Sequence, residues 1–174
     1  LGGIGVTGTY ASNIIAEDAD VVIAIGSRMS DFTTSSKRLF KNPDVKFVTI
    51  NNCRFHAYKM DAAKAVGDAK VTVEALTKKL RARGYVSAYN GEIEEAKKVW
   101  DKEMVRLAGI EYTGDDFEPI IKARDPRTIP EFVKMTNGKI TQTAALAAIR
   151  RVIDEDATII TAGGSLPSCM QRMW

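Results

Sequence analysis

Asp20-Val21-Val22-Ile23-Ala24-Ile25-Gly26 is the stretch whose reading decides the fold class. Its apolar run is continuous from Val21 to Ile25 and stops at a glycine. A strand solvated on one face alternates apolar and polar residues. An unbroken run instead predicts a strand buried on both faces, in a parallel sheet covered by helices. The flanking sequence agrees. Upstream, Thr9 can cap a short helix that carries Ala11, Ile14, Ile15 and Ala19 on one face. Downstream, a Pro43-Asp44 turn leads into a second strand, Val45 to Ile50, and a weaker third strand spans Lys64 to Val66. Asp68 then caps a helix that turns Val73, Leu76 and Leu80 inward, and Gly84 stops it. The expectation for residues 1–84 is a Rossmann-like, doubly wound α/β sheet with too few strands to be complete.

The next block has a different character. Glu92 to Ala108 reads as a charged amphipathic helix with Ile93, Ala96, Trp100, Met104 and Leu107 spaced by three and four, ended by Gly109. Residues 110–137 lose periodicity and contain Pro119, Pro126 and Pro130. A structureless stretch of that length is unusual inside a compact domain, so 85–137 is read as a helix plus linker. From Thr141 a new α/β unit is expected. A helix with Ala145, Ala148, Ile149 and Val152 on one face leads to a strand at Thr158–Ala162, which runs into Gly163-Gly164. Residues 138–174 are thus the start of a second α/β domain. The chain opens and closes in glycine turns, and it starts at Leu1 rather than Met. The expectation is a piece of a larger enzyme, inactive alone.

Composition removes several classes. Hydrophobic content of 45% and charged content of 27% are those of a soluble globular protein. A net charge of +3 from 25 basic and 22 acidic residues speaks against a dedicated nucleic-acid binder. Lys37-Arg38 and Arg150-Arg151 read as solvated helix surface. No apolar run approaches the roughly 18 residues of a membrane span. Cys53 and Cys169 form no metal or disulfide pattern, and a reducing cytoplasm fits them.

Few residues offer chemistry. Gly3, Gly5 and Gly8 show G-x-G-x-x-G spacing, but no strand precedes them. Gly5, Gly8 and Thr9 form either a tight loop entering a helix or a phosphate or nucleotide contact. Arg28 and Asp31 stand just past the carboxyl end of the first strand, the ligand edge of such a sheet. They either bind a phosphate or ribose or pair with each other. The second strand ends in Asn51-Asn52, where a dinucleotide fold places a ribose-binding carboxylate. FAD and NAD are therefore disfavoured. His56, the only histidine, has no triad partners nearby, and Asp115-Asp116 reads as a solvated turn. These residues assemble no nucleophile, acid–base pair or metal site.

Gly5-Val6-Thr7-Gly8-Thr9, then Ala19 to Thr33, then Val45 to Asn52 and Ala65 to Asp68, in that order, resemble the central domain of thiamine-diphosphate enzymes such as acetohydroxyacid synthase. Residues 139–174 look like the start of the same family's C-terminal cofactor domain. Within the family, Asp31-Phe32-Thr33-Thr34, Ala162-Gly163-Gly164-Ser165-Leu166-Pro167 and Met170 to Trp174 look most like the branch that opens the ring of an inositol catabolite, and the insert at 90–137 fits that branch. The resemblance implies a parent enzyme that uses thiamine diphosphate and Mg²⁺ to cleave a C–C bond beside a carbonyl with water. The parent is expected to be cytoplasmic and homo-oligomeric, with a small-molecule substrate. Gly163, Gly164, Ser165 and Leu166 carry over as its diphosphate loop, through backbone contacts only. The family's activating glutamate and its metal motif are expected outside this sequence, so neither cofactor nor turnover is expected for this piece alone. A synthase or decarboxylase of the same superfamily is the alternative within the enzyme class. Outside it stand a nucleotide-binding (ADP or CoA) regulatory module at Arg28 and a spacer between catalytic domains. For the isolated piece, either residues 141–162 or a second copy is expected to cover the open side of Val21–Ile25.

Overall fold

The computed structural model describes residues 1–87, 89, 91–110, 127, 131, 134–135 and 140–174. The expected linker features Pro119, Pro126, Pro130 and Asp115-Asp116 lie outside the described residues. Two compact units are present, Leu1–Trp100 and Asp101–Trp174.

The first unit is built on three parallel strands in spatial order β1-β2-β3: β1 Val21–Ile25, β2 Lys46–Asn51 and β3 Ala63–Val66. The register runs from Val21↔Lys46 to Ile25↔Ile50, and then from Val48↔Ala63 to Asn51↔Val66. Parallel neighbours need crossovers, and these are short helices: α2 Asp31–Thr34 between β1 and β2, and α3 Arg54–Ala57 between β2 and β3. Before β1 lies α1, Tyr10–Glu17; after β3 comes α4, Ala69–Ala82. The Asp68 side chain caps α4 by accepting from the Val71 N–H at 3.0 Å. Gly84, at φ +65, closes α4 in the left-handed conformation that favours glycine. Ile50 and Ala57 lie at the centre of the core, with Thr49 Oγ1 donating to the Ala57 carbonyl at 2.5 Å. The Phe40 and Phe47 rings meet edge to face at 5.0 Å.

Two expectations about this unit fail. The continuous run in β1 is not buried on both faces: Val21, Ile23 and Ile25 are 49%, 47% and 48% exposed, while Ala24 is buried. Side chains alternate along a strand, and α3 and α4 pack on β2 and β3 rather than over β1. Ala19 also falls beyond the end of α1.

The Thr9 cap of α1 is more than local. Its Oγ1 accepts from the Ser12 N–H at 3.1 Å and donates within a cluster that includes the Leu1 carbonyl and Ser12 Oγ. Thr9 is buried, so Thr9→Ala is expected to cost about 1–2 kcal/mol in chemical denaturation, the upper range for an N-cap. After α2 the chain passes through three successive left-handed residues, Ser35, Ser36 and Lys37, at φ 49, 55 and 66. Each costs about 1 kcal/mol for a residue with a Cβ. Ser36→Gly is therefore expected to raise the thermal midpoint, and an unchanged or lower midpoint would refute that.

The second unit holds the end of α5 (Gly91–Gly109), α6 (Gln142–Val152) and α7 (Ser165–Met173). Thr141 caps α6 by accepting from the Ala144 N–H at 3.2 Å, and it donates to the Ile110 carbonyl. The buried residues of α6 are Ala144 and Leu146; Ile149 and Val152, expected inward, are exposed. Residues 158–162, expected as a strand, have no regular structure, and Ile160 is almost fully exposed. A strand exists only through its ladder partners, and no described residue offers them here. Arg150 is not merely solvated surface either: its Nη1 donates to the Met173 carbonyl at 2.8 Å.

Candidate functional site

Two glycine loops present backbone N–H groups, and they differ in what those groups already do. In the first, the Gly5 N–H donates to Asn13 Oδ1 at 2.8 Å, and Asn13 Nδ2 returns a bond to the Gly5 carbonyl at 3.0 Å. Val6 donates to the Phe32 carbonyl, Gly8 to that of Gly5, and Thr9 to that of Gly3, all within 3.0 Å. The N–H groups of Gly5, Val6, Gly8 and Thr9 are thus engaged inside the chain. The glycines are needed for close backbone approach. A Cβ on Gly5 would stand 2.0 Å from the Phe32 carbonyl oxygen, and one on Gly8 2.4 Å from that of Gly3. These contacts perform the tight-loop role. At the start of α1, the described hydrogen bonds leave only the Tyr10 and Ala11 N–H groups open to an anion.

Arg28 and Asp31 lie past the carboxyl end of β1, and no ion pair joins them among the described residues. Asn51 has a role that sequence reasoning missed. Its side chain is buried at the end of β2, where Nδ2 donates to the Ser27 carbonyl at 3.1 Å and Oδ1 accepts from the Cys53 N–H at 2.9 Å. An amide supplies a donor and an acceptor at one position: the donor ties the β1 end to the β2 end, and the acceptor holds the turn after β2. Asn13 was also missed, because its partner Gly5 is eight residues away and leaves no local signature. His56 sits half-buried on α3, edge to face with Phe55 at 5.4 Å, and its Nδ1 is buried with no hydrogen-bond partner. Cys53 and Cys169 are free thiols.

The second loop is open. Gly163 and Gly164 lead into α7, with Gly164 at φ 138, where a side chain would be strained. Pro167 occupies the first turn of α7, where a missing N–H costs nothing. Gln142 Nε2 donates to Ser165 Oγ at 3.3 Å, and Ser168 Oγ donates to the Gly164 carbonyl at 3.0 Å, so the loop is tied to the start of α6. The N–H groups of Gly163, Gly164, Ser165 and Leu166 have no partner among the described hydrogen bonds. Open N–H groups at the positive end of a helix dipole, with no Cβ in front of them, suit an anion such as a phosphate.

Residues 1–76 match the family profile "Thiamine pyrophosphate enzyme, central domain". Across all 174 residues the chain is 58% identical to a 3D-(3,5/4)-trihydroxycyclohexane-1,2-dione hydrolase of Clostridium botulinum. It is 56% identical to the hydrolase of that name from Clostridium perfringens and 48% identical to one from Bacillus cereus. In each case the match covers 100% of this chain and 27% of the relative. No solved structure matches the chain. The matched segment contains the three-stranded parallel sheet, and the similarity agrees with that architecture. No helix of the described residues is long and apolar enough to cross a membrane.

Proposed function

We propose that this chain is the middle of a thiamine-diphosphate-dependent hydrolase that cleaves a C–C bond of 3D-(3,5/4)-trihydroxycyclohexane-1,2-dione, a cyclic intermediate of inositol breakdown. In this reading residues 1–84 are the central domain, 85–137 link it onward, and 138–174 open the cofactor-binding domain. Mg²⁺, a cytoplasmic location and a homo-oligomeric parent belong to the same proposal. The observation that carries it is the open N-terminus of α7 behind Gly163-Gly164, on a chain 58% identical throughout to a hydrolase of that name. Thiamine diphosphate supplies the nucleophilic carbon and electron sink that C–C cleavage beside a carbonyl requires. The chain's own part is to hold the diphosphate: the N–H groups of Gly163 to Leu166 donate to its oxygens, and Gln142 fixes the loop through Ser165. FAD has no place in this reading, because Asn51 is committed to Ser27 and Cys53.

The test is a calorimetric titration of thiamine diphosphate with Mg²⁺ into a protein of the relatives' full length that carries this segment, with turnover of the ring dione followed alongside. Gly164→Ala forces a side chain into φ 138 at the loop. It is expected to weaken cofactor binding by about tenfold or more, which is about 1.4 kcal/mol, while folding is retained. Undiminished binding would refute the loop assignment. Residues 1–174 alone are expected to show neither turnover nor stoichiometric cofactor binding, and calorimetric saturation of this chain would overturn that expectation.

A further inference from the structure

We propose that Gln142 is a positioning residue of the second glycine loop: its amide frees the Ser165 hydroxyl to act as a further donor to the bound anion. The proposal rests on the reading of that loop as the diphosphate site. Gln142 is the first residue of α6, and both of its neighbours are docked on the end of α5 and the residue after it. Thr141 Oγ1 donates to the Ile110 carbonyl at 3.2 Å, and Thr143 Oγ1 donates to the Leu107 carbonyl at 2.9 Å. The backbone that carries Gln142 is therefore fixed on either side. From this base the side chain crosses to α7, where it meets two residues one turn apart. Its Nε2 donates to Ser165 Oγ at 3.3 Å, and its Oε1 accepts from Cys169 Sγ at 3.5 Å. Residues four apart share a helix face, so one amide lies along the start of α7 and engages it at both ends.

The direction of that amide decides what Ser165 can do. A serine hydroxyl has one hydrogen to give and two lone pairs that receive. With the Gln142 nitrogen facing it, Ser165 Oγ accepts, and its own hydrogen has no acceptor among the described residues. A reversed amide would present its oxygen instead and take that hydrogen. Cys169 opposes the reversal: sulfur is a weak acceptor for an N–H, and the thiol hydrogen would lose its oxygen partner. Ser165 thus keeps an O–H beside the open N–H groups of Gly163 to Leu166, at the positive end of the α7 dipole. An O–H donated to an oxyanion is among the stronger hydrogen bonds, and accepting from Gln142 polarises it further. Among the described hydrogen bonds, Gln142 is the side chain that ties the start of α7 to another element, as Arg150 ties its end.

Calorimetric titration of thiamine diphosphate with Mg²⁺ into a protein of the relatives' full length that carries this segment, and into its variants, tests the proposal, with circular dichroism as the check of folding. Gln142→Leu removes both amide bonds and should weaken binding by about tenfold, as the loss of one hydrogen bond to a charged group does. Gln142→Glu should weaken it further, since a carboxylate takes the Ser165 hydrogen and sets a negative charge beside the anion. Ser165→Ala should match Gln142→Leu, and Ser165→Thr, which keeps the hydroxyl, should restore binding. In the double variant Q142L/S165A the losses should not add, and affinity should stay within about twofold of the weaker single variant. Wild-type affinity in Gln142→Leu, additive losses in the double variant, Gln142→Glu binding more tightly than Gln142→Leu, or Ser165→Thr as weak as Ser165→Ala would each overturn the proposal. In a protein whose Gly164→Ala variant binds weakly, those results leave the diphosphate reading standing. Undiminished binding by Gly164→Ala would overturn both.

Discussion

Gly5→Ala is expected to destabilise the first unit more than any other single methyl addition in the chain. The added carbon would stand 2.0 Å from the Phe32 carbonyl oxygen and 2.7 Å from the Thr33 carbonyl carbon and oxygen. All of these are backbone atoms, so no side chain can rotate away. Gly5 also sits at φ +91, a conformation that costs an L-residue about 1–3 kcal/mol even in open space. Relief requires the turn to separate from α2, which breaks the Val6 N–H bond to Phe32 and strains the paired Asn13 bonds. The expected loss is about 3–5 kcal/mol by urea denaturation, in the range reserved for overpacking and backbone strain together. Gly3→Ala is the control: no atom lies within 4 Å of its added carbon, and its φ is not left-handed. It should change stability by less than about 0.5 kcal/mol. Equal effects at Gly3 and Gly5 would refute the close-approach account of this turn.

Asn51→Asp is expected to cost about 2–3 kcal/mol at neutral pH, although it changes one atom. The amide nitrogen now donates to the Ser27 carbonyl; a carboxylate would turn an acceptor toward that acceptor, in a residue that is 5% exposed. The Cys53 N–H would still find an oxygen, so the damage is confined to the β1–β2 tie. The sign of the pH dependence follows. Burial and the facing carbonyl raise the folded-state pKa of the new carboxyl above its unfolded value of about 3.9. The penalty is therefore full well above the folded pKa and shrinks as pH falls through it, where the protonated acid can donate to Ser27 again. Denaturation of the variant and wild type at pH 7 and pH 4 measures this. A deficit that stays constant or grows toward pH 4 would show that Asn51 acts otherwise. The same geometry explains why an acidic residue at the end of β2, suited to a ribose in dinucleotide folds, has no room here.

Much of this was written into the sequence because it depends on neighbours along the chain. The strands expected at 21–25, 45–50 and 64–66, found within one residue of those bounds, the Thr9 and Asp68 caps, and the Gly84 stop follow from side-chain periodicity and from one residue satisfying another three positions on. The family resemblance was legible for a related reason, since motif order survives where local turns must be kept, and residues 1–76 bear it out. What tertiary structure alone decided involves partners far apart or absent. The apolar run of β1 carries no record of which helices cover it, so its half-exposed face could not be read from composition. Thr158–Ala162 has a strand's residues but no described strand beside it, and a ladder needs two strands. Asn51 looked like a weakened ribose clamp until Ser27, twenty-four residues earlier, was found within 3.1 Å of its amide. The two glycine loops are alike in sequence. They differ because Asn13 and Phe32 fold back to engage the N–H groups of the first, while those of Gly163 to Leu166 meet no described acceptor and stand open at the end of a helix.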